Sequence, residues 1–316
     1  ALLGPLLSAD TEEVMQKVAG HQIQFTANQG FSLTDGKHGV PKLTTNHDSS
    51  LSVLVDQARA ADLTILFLGG DEHTAKEAYF NRALGDRSSI DPVGPQNELL
   101  EKIAALGKPL IVVLKHRRTL SIPKIAEHAD AILDCWDLSE SGETIIANIM
   151  FGKAAPSGRL PVTVPRSIGQ FPFHYSNKEI NRKKGYLFEA EGPLYPFGFG
   201  LSYTSFSYSD LTLSSNTLTS GNSITASITV TNTGKRRGSE VVQLYIRDLV
   251  GSISRPIKEL KGFEKINLSP GASKTVSFKI TPDLLKFYNS KLEHVWEPGK
   301  FDAMVGGSSS DTKQAG

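Results

Sequence analysis

The apolar positions of this chain fall into two textures. In the first, continuous apolar runs alternate with stretches of helical period. LTILFLGG (63–70), PLIVVLKH (109–116) and DAILDCWD (130–137) are runs of the kind expected for strands buried on both faces. Between and after them, PQNELLEKIAALGK with Gly107 as a stop, IPKIAEHA, and SESGETIIANIMFG closing at Gly152 predict helices. Upstream, LLGPLL (2–7) predicts a short strand and TEEVMQKVAG (11–20) a short helix, with Val14 and Val18 at i,i+4. QIQFTAN (22–28) alternates like a strand, and 29–50 reads as a polar loop. Asp48 or Ser49 is placed to cap a helix over 50–62 whose Val53, Leu54, Ala58 and Ala61 share a face. Strand and helix alternating in this rhythm predict an α/β domain with a parallel sheet covered on both faces.

The texture changes near residue 195. PLYPFGFGLSYTSFSYSDL is a hinge of glycine, proline and aromatics, in which Tyr195, Phe197, Phe199 and Tyr203 read as structural packing between domains. Beyond it, ITASITVTNTG, SEVVQLYIRD, KELKGFEKINL, KTVSFKIT and GKFDAMVGG are short alternating segments separated by turn residues. That pattern predicts an all-β sandwich of immunoglobulin-like or fibronectin type III-like kind.

The most unusual feature is the connection after the 63–70 run. Strand-to-helix loops in α/β units are normally a handful of residues. Here DEHTAKEAYFNRALGDRSSIDPVGPQ intervenes, with Asp71, Glu72, Glu77 and Asp86 as candidate acids. Long loops at the C-terminal ends of parallel strands are where such folds place ligands and chemistry. Glu77 is followed by Tyr79 and Phe80, aromatics able to shield a carboxyl and to stack on a sugar. Shielding would raise its pKa and suit it to donate a proton. The alternative is a solvated loop carboxylate. Asp86 beside Arg87 fits a turn cap or ion pair, and Asp71 and Glu72 fit closure of the strand end. The basic KHRRT (115–119) either faces this acidic loop across the sheet edge or is a solvated turn.

Composition narrows the chemistry. Lys+Arg 34 against Asp+Glu 33 leaves a net charge of +1, so no broad field for nucleic acid or an anionic membrane is expected. No run approaches the roughly 20 apolar residues of a membrane span. The lone cysteine, Cys135, excludes an internal disulfide or a cysteine-rich metal site and reads as buried packing. Gly69-Gly70 lacks a phosphate-loop context, and Ser139 and Ser141 lack the G-x-S-x-G setting of a hydrolase elbow. His73 and His116 have no second ligand at metal spacing and read as polar rim residues. ALLGPLLSAD has no basic region before its apolar run and does not read as a signal peptide. Both ends read as cuts in a longer protein.

ADLTILFLGGDE, GDRSSIDPVGPQNELL, GKPLIVVL, ADAILDCW, FGKAAPSGRLPVTVPRSIGQFP, PLYPFGFGLSYTSFSYSDL and SRPIKELKGFEKINLSPG occur in this order. Together they resemble the C-terminal half of glycoside hydrolase family 3 β-glucosidases of the bacterial, periplasmic type. The resemblance implies an (α/β)6-type sandwich with a mostly parallel sheet over 1–195. A linker and a fibronectin type III-like β-sandwich follow over 196–316. A (β/α)8 barrel precedes both in the family and supplies the nucleophilic aspartate, which no aspartate of this chain matches. By position in KEAYFNRALGDR, Glu77 matches the family's general acid/base, with Tyr79 and Phe80 as substrate-binding neighbours. Asp86 and Arg87 match a recurrent pair that shapes the loop.

The implied reaction is hydrolysis of terminal, non-reducing β-D-glucosyl residues with retention. It needs no cofactor and no metal. The implied partners are a β-glucoside or oligosaccharide and the barrel, from the same or a cleaved chain. Nucleic acid and membrane are not among them, and homo-oligomerisation is left open. The implied location is periplasmic or secreted. KHRRT stands where the family often carries Asn-Gly-Arg-Pro, and DLSESGE where a Gly- and Glu-rich turn is usual. The rival readings are a non-catalytic carbohydrate-binding or interaction module, and a β-xylosidase or β-N-acetylglucosaminidase on the same scaffold.

Overall fold

The computed structural model describes residues 1–20, 22–33, 47–72, 74–75, 87–138, 141–178 and 187–315. They divide into two compact units, 1–154 with 165–171 and 155–164 with 172–316. Residues 155–164 and the described residues of 172–195, grouped with the first domain in the sequence reading, fall within the second unit. Backbone hydrogen bonds explain this: Leu160 N donates to Phe199 O at 2.8 Å, Gly198 N to Leu160 O at 2.8 Å, and Val164 N to Tyr195 O at 2.9 Å.

The first unit is an α/β domain. Its chain order is β1 (Leu2–Leu3), α1 (Thr11–Ala19), β2 (Ala27–Asn28), α2 (His47–Ala60), β3 (Thr64–Gly69), α3 (Gln96–Ala104), β4 (Leu110–Lys115), α4 (Pro123–His128), β5 (Ala131–Trp136) and α5 (Gly142–Met150). The five strands form one parallel sheet in the order β2-β1-β3-β4-β5. Every residue of β3 is buried, as its unbroken apolar run requires. Leu2, Met15, Phe67, Val113 and Ile146 pack together beside it.

Three expectations are shortened or turned. The 2–7 strand pairs over Leu2–Leu3 alone, because Gly4 takes φ +118° and breaks the ladder. The 22–28 segment pairs at Ala27–Asn28 only. Helix α2 begins at His47, so Asp48 and Ser49 lie inside its first turn. Its buried face is Leu51, Leu54 and Ala58, with Val53 50% exposed on the far side. A repeat of three then four residues selects that stripe, and Val53 falls one position off it.

The second unit holds two antiparallel sheets. One runs β10 (Glu259–Leu268), β9 (Gly238–Asp248), β14 (Phe301–Gly306), β15 (Thr312–Ala315). The other runs β11 (Ser273–Ile280), β8 (Ile224–Asn232), β6 (Phe206–Tyr208), with β7 (Thr212–Leu213) also on β8. A two-stranded hairpin, β12 (Phe287–Tyr288) and β13 (His294–Val295), completes the ladder set. Burial alternates strictly along β8, so Ile224, Ala226, Ile228 and Val230 enter the core while the Ser and Thr between them face outward. Val242, Leu244, Ile266, Val276 and Val305 meet them from the other strands. The hinge aromatics Tyr195 and Phe199 stack at 5.3 Å, and Phe197 stacks on Tyr175 at 4.2 Å, all within this unit. Among the described residues, no helix is long and apolar enough to cross a membrane.

Candidate active-site edge of the parallel sheet

In the order β2-β1-β3-β4-β5 the chain reverses its direction of travel between β1 and β3. Open α/β sheets bind ligands outside the carboxyl ends of the strands at such a switch point. Both strands leave this point on glycine. A Cβ on Gly4 would lie 2.5 Å from the Phe67 carbonyl, and one on Gly69, at φ +134°, would strike the Lys115 carbonyl. The long loop therefore starts where the fold opens a crevice, and its first turn is set by backbone approach that a side chain would block.

Both ends of the loop are tied down. At its start, Thr74 donates through its backbone N–H (2.8 Å) and its hydroxyl (3.0 Å) to one Asp71 oxygen. Gln96, fully buried at the first position of α3, accepts from Gly69 N (2.7 Å) and donates to Gly69 O (2.9 Å) and Val93 O (2.8 Å). It thus joins the exit of β3 to the end of the loop. The Arg87 guanidinium reaches Thr74 O (3.4 Å) and Asp91 O (2.5 Å), bridging positions on either side of 76–86. Burial holds the Arg87 pKa below its usual range, against an opposing pull from Asp91. Glu77, Tyr79, Phe80 and Asp86 lie outside the described residues, as do His73 and Ser139.

The neighbouring strand ends add a charged rim. Arg117, just past β4, pairs with Glu72 (3.1 Å) at the loop's start and with Asp137 (2.7 Å) past β5. KHRRT therefore does face the acidic loop across the sheet edge. Asp71 and Glu72 serve the strand exit, one as a turn acceptor and one as an ion-pair partner. His116 is not a rim residue. It is buried, with Nδ1 2.8 Å from the Arg118 carbonyl and Nε2 2.8 Å from Asp134 Oδ1, and it lies 4.9 Å from the Trp136 ring. The carbonyl can only accept, so Nδ1 carries a proton. Apolar strand patterning hid this pair, because Asp134 sits inside DAILDCW.

Trp136 ends β5 at φ +52°, an unfavourable backbone for a bulky residue, beside a register shift at Leu114/Lys115. Its indole N–H is buried and has no hydrogen-bond partner among the described residues. Strain of this kind clusters at functional sites.

Behind the rim is a polar knot that sequence reasoning missed. Lys115 Nζ lies 2.6 Å from Glu143 Oε1 and 2.8 Å from Ser8 Oγ. Ser8 donates to Glu143 Oε1 (2.9 Å), and the buried Thr11 hydroxyl to Oε2 (3.0 Å). Glu143 sits in the first turn of α5, where the helix dipole favours an anion. The knot fastens the starts of α1 and α5 to the end of β4. Nearby Cys135 is pushed up to about 12 by burial first and by Asp134 next, so its thiol stays protonated and unreactive. Among the described residues no cluster of three His, Cys, Asp or Glu could hold a metal ion.

Comparison with known proteins decides the family. The model of the glycosyl hydrolase family 3 C-terminal domain matches residues 7–203. The chain belongs to that family. A fibronectin type III-like domain matches 240–309, within the second unit. A putative β-xylosidase of Formosa agariphila is 60% identical over 99% of this chain and 42% of its own length. A periplasmic β-glucosidase of Salmonella typhimurium is 44% identical over 82% of this chain and 34% of its own. The family 3 chain thus spans less than half of these curated relatives. Among solved structures, a β-glucosidase from Erythrobacter marinus superposes with a TM-score of 0.91 at 35% identity. A β-glucosidase from Listeria innocua in complex with glucose gives 0.83 at 28%. Each covers 99% of this chain, and the chain covers 45% of each.

Proposed function

We propose that this chain is the acid/base-bearing part of a retaining β-glycosidase, with Glu77 as the proton donor and acceptor. One observation carries the reading: within the family 3 match, the loop holding Glu77 leaves the sheet at its topological switch point, fastened at both ends by Arg87 and Gln96. The nucleophile in this reading is an aspartate of a (β/α)8 barrel outside these 316 residues. In the first step the Glu77 carboxyl gives its proton to the glycosidic oxygen. The C1–O bond breaks as the aspartate forms an ester to C1, and the alcohol leaves. In the second, the Glu77 carboxylate takes a proton from water, the water oxygen bonds to C1, and the ester opens to release the sugar and the aspartate. The ties at Thr74, Arg87 and Gln96 support this reading by fixing where the segment that bears Glu77 leaves and rejoins the first unit.

The sugar is a terminal β-D-glucosyl residue. A second reading, a β-D-xylosyl residue, is favoured by the name of the Formosa relative. The two sugars differ by the hydroxymethyl group on C5, so aryl β-glucoside and β-xyloside of one leaving group separate them. The experiment assays this chain alone and joined to its barrel on both. Turnover is expected with the barrel present and absent without it. Robust turnover by the chain alone would overturn the division of labour. The compartment proposed is the periplasm or the exterior, which fractionation of the producing cell tests.

A further inference from the structure

The β8–β9 turn carries three consecutive cations, Lys235, Arg236 and Arg237, all exposed. Among the described residues none of them lies within ion-pair distance of a carboxylate, in a chain whose net charge is only +1. The turn is not a loose tip. Fully buried Asn232 accepts from the Thr204 hydroxyl (2.6 Å) and Gly234 N (3.0 Å), and donates to the Arg236 carbonyl (2.8 Å) and Leu268 O (2.9 Å). Thr233 N donates to Ser205 O at 2.9 Å. The backbone that displays the cations is therefore held from both sides.

The positive surface continues onto β10. Arg237 Nε donates to Asn267 Oδ1 at 2.6 Å. Lys265 lies two residues back on the same outward face, its ammonium 2.8 Å from the Ser157 hydroxyl. Residues two apart on a strand are about 7 Å apart. Phe263, 68% exposed, follows at the same interval, and at the other end Tyr203 is 41% exposed with the Arg236 guanidinium 6.0 Å from its ring centroid. The result is a ridge of four cations with an aromatic at each end.

We propose that this ridge binds a polysaccharide bearing sulfate or carboxylate groups, apart from the sheet edge that carries the glycosidase chemistry. Uncompensated cations on a rigid turn suit anionic substituents at intervals along a chain. Exposed aromatic rings suit the apolar faces of the sugars between them. The small area and modest net charge do not supply the long positive track that a nucleic acid backbone requires.

The test is affinity electrophoresis of the 316-residue chain through gels containing dextran sulfate or uncharged dextran, over a range of salt. Dextran sulfate should retard the chain and dextran should not. Replacing Lys235, Arg236 and Arg237 together with Ser should weaken retardation on the order of tenfold and lower the slope of log affinity against log salt by about 2–3. Arg236→Lys with Arg237→Lys, which keeps the charge, should retain most of the binding. Phe263→Ala, a change on an exposed strand face, should weaken it about threefold, in line with the loss of one ring contact. No retardation, or retardation unchanged in the triple variant, overturns the proposal. Tighter binding to duplex DNA or to phosphatidylglycerol vesicles than to dextran sulfate overturns it too. So does full indifference to Phe263, which would leave an ionic surface without a saccharide.

Discussion

Lys115→Met isolates the energetic logic of the knot behind the sheet edge. In the native unit the Lys115 and Glu143 side chains are 22% and 9% exposed, and two hydroxyls complete the carboxylate's hydrogen bonds. Removing the ammonium leaves a buried carboxylate facing only hydroxyls. Breaking a buried pair in this way costs about 3–5 kcal/mol. Adding Glu143→Gln should recover most of that, because a neutral amide can accept from one hydroxyl and donate to the other. A remaining loss of about 1 kcal/mol then reflects weaker neutral hydrogen bonds. For a unit of this size each kcal/mol moves the midpoint by about 2–4 °C, so Lys115→Met should lower it by roughly 6–20 °C and the double variant by a few degrees. Trp136 lies in the first unit and Trp296 in the second. Thermal unfolding followed by fluorescence in a Trp296→Phe background therefore reports the first unit. A Lys115→Met midpoint within about 2 °C of the parent, or a double variant no better than the single, would refute the reasoning.

Gln96→Leu should destabilise the first unit by on the order of 3 kcal/mol, since it strands the buried Gly69 N–H and carbonyl, and urea unfolding reads this. Gly69→Ala should cost at least about 3 kcal/mol in the same assay, because φ +134° and the Lys115 carbonyl both oppose a Cβ. In the second unit, burial raises the phenol pKa of Tyr208, helped by Glu240, and of Tyr245, each above its ordinary value of 10.0. The unfolded chain releases these protons first, so stability present below pH 10 is lost as pH rises beyond it. Absorbance at 295 nm should show two of the eight tyrosines ionising only with unfolding, and Tyr208→Phe should flatten the alkaline decline.

Much of this fold is legible from local pattern. The 63–70 run reads as a doubly buried strand, which Thr64–Gly69 forms, and the glycines at 107 and 152 end their helices at φ +66° and +67°. The alternation along 224–232 shows directly which residues enter the sandwich core. What pattern could not show are the long-range polar links. Gln96 in PQNELL looks like an exposed helix start, yet it is buried because β3's last peptide needs a partner. Lys115 and Glu143 are 28 residues apart and meet only once the sheet is built. The polar alternation of 22–28 suggests a strand, but β1 offers a partner for just two residues. At the site, acidic composition and loop length singled out the strand exit at the topological switch point, and Arg117 settled one of two readings of KHRRT. The choice of Glu77 among four acids rests on family likeness rather than on spacing.

The most direct measurement of the central claim is leaving-group dependence in Glu77→Gln, made in the barrel-containing enzyme. The amide cannot protonate a departing oxygen. Alkyl and other poor leaving groups should therefore lose turnover by about 10²–10⁴. Dinitrophenyl glycosides, whose leaving group needs no proton, should keep glycosylation near the parent rate and have their turnover rescued by azide as a glycosyl azide. Equal losses across all leaving groups with no azide product, or no loss at all, would contradict the assignment of Glu77.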